Sequence, residues 1–161
     1  LSEVSIANIN APGQIVISGT EEGVSQLSEL ALSNKAKRVI PIPVSVAAHS
    51  SLMIDQSKVF KDFVDKVKIS DLTIPVVNNV DVKCEINEAL IKDALVRQLY
   101  SPVRWVETIE YMEQEGVDFM LELGPGKVLT SFNKRIDNSI KSISVSDSNS
   151  LESALETLGN L

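Results

Sequence analysis

The sequence predicts an α/β fold, in which short strands and amphipathic helices alternate along the chain. Runs rich in aliphatic and β-branched residues, such as 14–18 and 117–123, have the composition and length of strands. The segments between such runs carry apolar residues at the three- and four-residue spacing of helices. Residues 124–126 form a glycine-containing turn between a predicted strand and a predicted helix, an order typical of α/β proteins.

The predicted elements follow one another with little irregular chain between them. Thr20 and Asn87 stand where each can cap the helix that follows. Ser101-Pro102 has the order of an N-cap followed by proline at the first helical position. Strands are predicted at 3–9, 14–18, 38–44, 74–80, 117–123 and 140–145, and helices at 21–32, 52–67, 88–99, 102–116, 127–136 and 150–158.

Two of the predicted strands contain proline. Pro41 and Pro43 confine the strand at 38–44 to a sheet edge or a strand end, because each proline removes one donor from the ladder. The apolar run around Pro75 predicts a buried strand at 74–80.

Composition excludes several classes of function. The chain has 161 residues, 43% of them hydrophobic, and 22 acidic against 15 basic residues give a net charge of -7. Phosphate contacts need clustered Lys and Arg, so this charge disfavours nucleic acid as a partner. No apolar run approaches the roughly 20 residues of a membrane span, and no signal-peptide pattern is present. We therefore expect no membrane partner and a cytoplasmic location.

The single cysteine and the single histidine narrow the chemistry further. Cys84 cannot form a disulfide within the chain, and it is most simply a small hydrophobe. His49 has no Cys or His neighbours with which to form a zinc site, so no metal is expected. The chain begins with Leu1 rather than methionine, and a strand pattern follows at once. This pattern favours a fragment of a longer protein.

His49 is a candidate general base. It stands where an extended segment gives way to a helix, among small residues, and an unperturbed imidazole titrates near pH 6.5. The residues alone leave this role and an ordinary packing role evenly balanced. The chain supplies no evident nucleophile, because the glycines of 19–23 enclose Glu21 where an esterase elbow has serine, and Ser50 and Ser51 are better placed as helix caps.

A second motif resembles a phosphate loop. Gly124-Pro125-Gly126-Lys127 precedes a predicted helix, whose N-terminal amides could bind an anion. The Walker pattern requires Ser or Thr after the lysine, and Val128 stands there. A tight strand-to-helix turn is therefore the favoured interpretation.

Four segments, taken in order, resemble the C-terminal half of bacterial malonyl-CoA:acyl carrier protein transacylases. The resemblance covers nearly the whole chain. Its motifs lie at residues 10–19, 42–53, 98–105 and 122–129.

The resemblance implies a function and three site residues. A serine takes malonyl from coenzyme A, and the pantetheine thiol of acyl carrier protein takes it from the serine, without a further cofactor. His49 matches the catalytic base, and Gln98 matches the residue whose backbone carbonyl orients the imidazole. Asn10, in the first motif, is expected to contact substrate.

The resemblance also implies what this chain lacks. The family's serine elbow, its oxyanion-hole segment and the arginine that pairs with malonyl lie upstream of the region present here. None of Arg38, Arg97, Arg104 and Arg135 is assigned to the arginine's role, and the chain alone is expected to be inactive. Ala48 stands before the histidine, where related polyketide enzymes that prefer malonyl carry a bulky aromatic, so that position does not support malonyl selectivity.

The family fold implies a division of the chain. Residues 1–45 match the second part of a ferredoxin-like small subdomain, and residues 46–161 match the C-terminal part of a hydrolase-like α/β large subdomain. Two other functions stay open. The chain could be a non-catalytic module that binds acyl carrier protein through Lys35, Lys37 and Arg38, or part of an acyltransferase domain of a polyketide synthase.

Overall fold

The computed structural model describes residues 3–70 and 72–159 and confirms the α/β class. Contacts divide the chain into two units, one formed by Leu1–Asn10 with Gln14–Trp105 and the other by Ala11–Gly13 with Val106–Leu161. The predicted subdomain boundary after residue 45 stays a prediction.

The described strands are β1 (Val4–Ala11), β2 (Gln14–Gly19), β3 (Val77–Asn78), β4 (Lys83–Cys84), β5 (Phe119–Leu123) and β6 (Lys141–Val145). The described helices are α1 (Glu21–Ser33), α2 (Ile54–Val64), α3 (Glu88–Gln98), α4 (Trp105–Gln114), α5 (Val128–Ile136) and α6 (Ser148–Leu158).

The first unit begins with β1 paired to β2, followed by α1. Gly19 ends β2 in close contact with the start of β1, since a Cβ there would lie 2.2 Å from the Glu3 carbonyl oxygen. Only glycine allows this approach, and the next amide, that of Thr20, donates to the same carbonyl at 3.0 Å. The Thr20 hydroxyl then accepts from the Gly23 amide at 3.2 Å, which confirms the predicted cap.

β1 also bonds to the segment that follows α3. Val103 donates to the Ala7 carbonyl at 2.8 Å and accepts from the Ile9 amide at 2.9 Å, forming a parallel bridge. The predicted helix start after Ser101-Pro102 is therefore wrong. The backbone of Val103 is engaged with β1, and α4 begins only at Trp105.

α2 packs on α3 in the same unit. Lys92 of α3 is only 15% exposed, and its ammonium contacts Glu88 at 2.8 Å and the Asp65 carbonyl after α2 at 3.3 Å. The predicted helix at 52–67 is shorter than expected, because residues 51–53 form a 3-10 turn and α2 ends at Val64.

Two predicted strands of this unit are wrong. Residues 38–44 form no ladder, and in place of a cross-strand bond the Val44 amide donates to the nearby Ile42 carbonyl. Residues 74–76 are exposed, with Ile74 73% accessible, and residues 77–80 are half-buried; only Val77–Asn78 pairs with β4. The Asn78 side chain explains the short ladder, because it bonds the Asp81 amide and the Lys83 carbonyl and so closes a turn.

The second unit contains a β-α-β arrangement. β5 and β6 pair in parallel from Phe119↔Lys141 to Leu123↔Val145, and α5 connects them and packs on both. A parallel pair requires such a crossover connection. α6 packs on β6, and Asp147 caps it by accepting from the Ser150 amide at 2.8 Å.

The carboxylate of Glu122 occupies the start of α5. Its oxygens accept from the amides of Leu129 at 3.1 Å and Thr130 at 2.8 Å, within the helix's first turn. Partial burial opposes the charge, but the hydrogen bonds from these amides outweigh it and hold the Glu122 pKa below its usual value. The glycine loop is thus a strand-to-helix turn, and the amides in the first turn of the helix that follows already bind a carboxylate of the chain itself.

Glu122→Gln should lower the free energy of unfolding by about 1 kcal/mol at neutral pH, because the helix start loses its negative charge. The folded pKa is depressed, so this stabilisation is present above the unfolded value near 4.5 and is lost as pH falls through the lower folded value. Urea denaturation at a series of pH values measures the difference. Glu115→Gln, at an exposed site, is the matched control. A difference that stays constant from pH 7 to below 4 would contradict the assignment.

Candidate active site

His49 lies between the irregular segment 34–48 and the 3-10 turn that begins at Ser51. Its backbone is left-handed, with φ of 60°, a conformation that costs most residues about 1 kcal/mol or more. The His49 amide donates to the Leu99 carbonyl at 2.9 Å. The side chain is half-buried. Strain of this kind persists where surrounding bonds enforce it, and it is concentrated at functional sites.

Two backbone carbonyls hold the imidazole ring. His49 Nδ1 lies 2.9 Å from the Gln98 carbonyl oxygen and 3.1 Å from the Ser101 carbonyl oxygen. A carbonyl oxygen only accepts, so Nδ1 carries the proton in the neutral ring. The lone pair is then on Nε2, which is the arrangement that a general base requires.

The Gln98 side chain lies close to the same ring nitrogen. Its amide nitrogen is 3.3 Å from His49 Nδ1, where both atoms would be donors. The two carbonyl contacts are shorter and act together, so they decide the tautomer. Gln98 therefore acts on the ring through its backbone rather than its side chain.

Among the described residues, no serine hydroxyl is bonded to His49. Ser50 is buried, and its hydroxyl donates to the Ala47 carbonyl at 2.7 Å. It occupies the N-cap position of the 3-10 turn without a side-chain capping bond, so the capping predicted for it is not made. The Ser51 amide donates to the Ser5 hydroxyl of β1 at 3.4 Å. In residues 3–70 and 72–159, the groups that bond the imidazole ring come from Gln98 and Ser101.

The structure brings together two of the three predicted site residues. His49 and Gln98 are in direct contact. Asn10 is half-buried near the end of β1, and within the described parts of the chain no hydrogen bond joins it to either of them. Its expected contact with substrate stays a prediction.

Sequence reasoning missed the second acceptor, the carbonyl of Ser101. No side-chain pattern could have indicated it, because the group is a backbone atom placed by the turn that ends α3. In that turn the amides of Tyr100 and Ser101 both donate to the Arg97 carbonyl, at 3.2 Å and 3.0 Å.

The described residues offer no group of three or more His, Cys, Asp or Glu side chains that could hold a metal ion. Among them there is also no helix long and apolar enough to cross a membrane.

Comparison with known proteins confirms the family resemblance. No protein-family model matches the chain. The malonyl CoA-acyl carrier protein transacylase of Escherichia coli strain K12 is 44% identical over 153 residues, which cover 95% of this chain and 50% of that protein. The enzyme of the same name from Bacillus subtilis strain 168 is 46% identical over 155 residues, or 96% of this chain and 49% of that protein.

Solved structures agree with the sequence comparison. A malonyl-transacylase in complex with a type II polyketide synthase acyl-carrier protein matches with a TM-score of 0.95 and 44% identity, covering 97% of this chain and 50% of that one. An acyl carrier protein S-malonyltransferase from Vibrio cholerae matches with a TM-score of 0.91 and 43% identity, covering 94% of this chain and 50% of that one.

The fold and the sequence are thus similar to those of one half of acyltransferases. The particular relatives are the malonyl CoA-acyl carrier protein transacylases, and the resemblance to them extends over about 95% of the chain. The chain spans about half the length of the curated relatives that it matches.

The left-handed backbone of His49 has a measurable consequence. His49→Gly and His49→Ala both remove the ring, but only glycine relieves the strain of about 1–2 kcal/mol. The greater freedom of glycine in the unfolded chain offsets about 0.4–1 kcal/mol of this gain. We expect the glycine variant to be as stable as the alanine variant or more stable, by up to about 1.6 kcal/mol, in urea denaturation. An alanine variant more stable than the glycine variant by about 0.4–1 kcal/mol, the full entropic difference, would show that the strain is absent.

Proposed function

We propose that this chain supplies the general base of a malonyl-CoA:acyl carrier protein S-malonyltransferase of fatty-acid synthesis. The observation that carries the proposal is the contact of His49 Nδ1 with two backbone carbonyls, which leaves Nε2 as the proton acceptor. The 44–46% identity to transacylases over nearly the whole chain supports the reaction. The resemblance of residues 98–105 to a family motif supports the role of the Gln98 carbonyl.

The proposed reaction has two acyl-transfer steps. In the first, His49 Nε2 takes the proton of a serine hydroxyl, the serine oxygen attacks the malonyl thioester, and coenzyme A leaves as the thiol with that proton. In the second, Nε2 takes the proton of the pantetheine thiol of acyl carrier protein, whose sulfur attacks the malonyl-serine ester. The proton then returns to the serine oxygen, so His49 is regenerated neutral.

Neutral carbonyls suit a base that works in both steps. A carboxylate next to Nδ1 would stabilise the imidazolium strongly, whereas the carbonyls of Gln98 and Ser101 fix the tautomer with less stabilisation of the charged ring. The ring can therefore pass its proton to the leaving thiolate in the first step and to the serine oxygen in the second.

The rest of the enzyme follows from the family. We propose that an upstream half provides the serine, the oxyanion hole and the arginine for the malonyl carboxylate, and that residues 1–45 complete a small subdomain. Asn10 is proposed to contact substrate from β1. Malonyl-CoA and acyl carrier protein are the substrates, no further cofactor takes part, and the location is the cytoplasm.

Two alternatives are retained. Lys35, Lys37 and Arg38 are all exposed after α1, so a non-catalytic module could bind an acidic carrier protein there. The solved relative bound to a type II polyketide synthase carrier protein keeps a polyketide role open. The transferase is favoured over the module because a binding module has no need of the ordered His49 ring.

The chain alone should form no adduct with radiolabelled malonyl-CoA, because the nucleophile is absent. Supplying the upstream half should restore a stoichiometric malonyl-protein adduct, and His49→Ala in that complex should slow its formation by about 10²–10⁴-fold. Filter binding and intact mass measure the adduct.

A stoichiometric adduct on the chain alone would contradict the missing nucleophile. The non-catalytic binding module would be favoured by two results together. The reconstituted protein would form no malonyl adduct, and the chain would bind acyl carrier protein in a salt-sensitive manner.

Gln98→Ala should change the rate of transfer less than about threefold, because the carbonyl that accepts from His49 belongs to the backbone and survives the substitution. Gln114→Ala, at an exposed glutamine at the end of α4, is the matched control in the same steady-state assay. A loss in Gln98→Ala comparable to that of His49→Ala would instead assign the role to the side-chain amide.

A further inference from the structure

A partly buried ion pair lies next to the carbonyls that hold His49. The Arg97 guanidinium donates to both carboxylate oxygens of Asp81, with Nη1 to Oδ1 at 3.0 Å, and its Nε donates to Asp93 at 2.6 Å. The side chains of Arg97 and Asp81 are 30% and 29% exposed. A bidentate pair of this kind fixes orientation as well as distance.

Asp81 is itself held in place by the turn between β3 and β4. Its amide donates to the Asn78 side chain at 2.8 Å, and the next residue, Val82, has a left-handed backbone with φ of 55°. The Arg97 guanidinium holds the pKa of the Asp81 carboxyl below its ordinary value, so the pair is charged at neutral pH.

Arg97 connects this turn to the cradle of His49, which is formed by the backbone of residues 97–101. Its side chain reaches Asp81, while its carbonyl accepts from the amides of Tyr100 and Ser101. The two carbonyls that contact His49 Nδ1 follow Arg97 by one and four residues. A rotation of the last turn of α3 would therefore move both carbonyls away from the ring.

We propose that Asp81 and Arg97 are a positioning pair for His49, which holds the 97–101 cradle so that the imidazole keeps its proton on Nδ1. Neither side chain touches the reacting atoms. The proposal rests on the proposed function only in so far as His49 acts as the base.

The single histidine makes the test direct. With ¹⁵N-labelled histidine, the ring nitrogen signals of the 161-residue chain report His49 alone. In the wild type, under conditions where the ring is neutral, Nδ1 should give the signal of a protonated nitrogen and Nε2 that of an unprotonated one. Asp81→Asn and Arg97→Lys should each move the two signals toward each other, as the tautomers mix.

The controls separate positioning from simple stability. Asp55→Asn breaks an exposed ion pair of α2, with Lys58 at 2.7 Å, and should leave the histidine spectrum unchanged. Asp81→Glu keeps a carboxylate, so its histidine spectrum should be closer to that of the wild type than the spectrum of Asp81→Asn is. Circular dichroism shows which variants are folded, and Arg97→Lys, which keeps the charge but not the bidentate geometry, is decisive if Asp81→Asn unfolds.

Activity provides the second readout. In the chain reconstituted with its upstream half, Asp81→Asn should lower kcat about tenfold and leave KM nearly unchanged, because the base is misplaced while substrate contacts remain. Folded variants with wild-type histidine signals and wild-type kcat would overturn the positioning pair. A different pair of results would separate the two proposals. If the variants shift the histidine signals but the reconstituted wild-type protein transfers no malonyl, the positioning pair stands and the proposed function is overturned.

Discussion

The candidate site depends on hydrogen bonds between His49 and the backbone at the end of α3. The amide and the ring of this one residue contact carbonyls of Gln98, Leu99 and Ser101, from a single turn. These bonds hold His49 in a left-handed backbone that the residue would not adopt by itself. β1 supports the arrangement from the other side of the turn, through its parallel bridge to Val103. A loop, a helix end and a strand thus share one set of backbone contacts.

The helices were the most predictable part of the fold. Thr20 and Asn87 cap α1 and α3 as expected, because a capping side chain acts on amides two or three residues away. The strands at 38–44 and 74–80 were mispredicted because a strand needs a partner, and an apolar run does not specify one. Pro41, Pro43 and Pro75 each removed a donor from those runs, and Asn78 provided a competing turn.

The site could be predicted only in part. His49 was evident as the single histidine in a loop of small residues, and the family resemblance indicated Gln98. The Ser101 carbonyl and the Asp81–Arg97 pair were not evident. The first is a backbone atom, and the second joins residues 16 positions apart through a turn whose geometry only the structure shows. The family resemblance indicated one backbone acceptor, whereas the second acceptor and the distant side-chain pair required the three-dimensional structure.

Glu122 has a consequence for what the start of α5 can bind. The amides at the start of α5 are the kind of group that binds phosphate in many α/β proteins, yet the chain neutralises them with its own carboxylate. A phosphate brought to this glycine loop would meet a negative charge rather than free donors. The start of α5 is therefore not an open anion site, and the loop serves as the connection between β5 and α5.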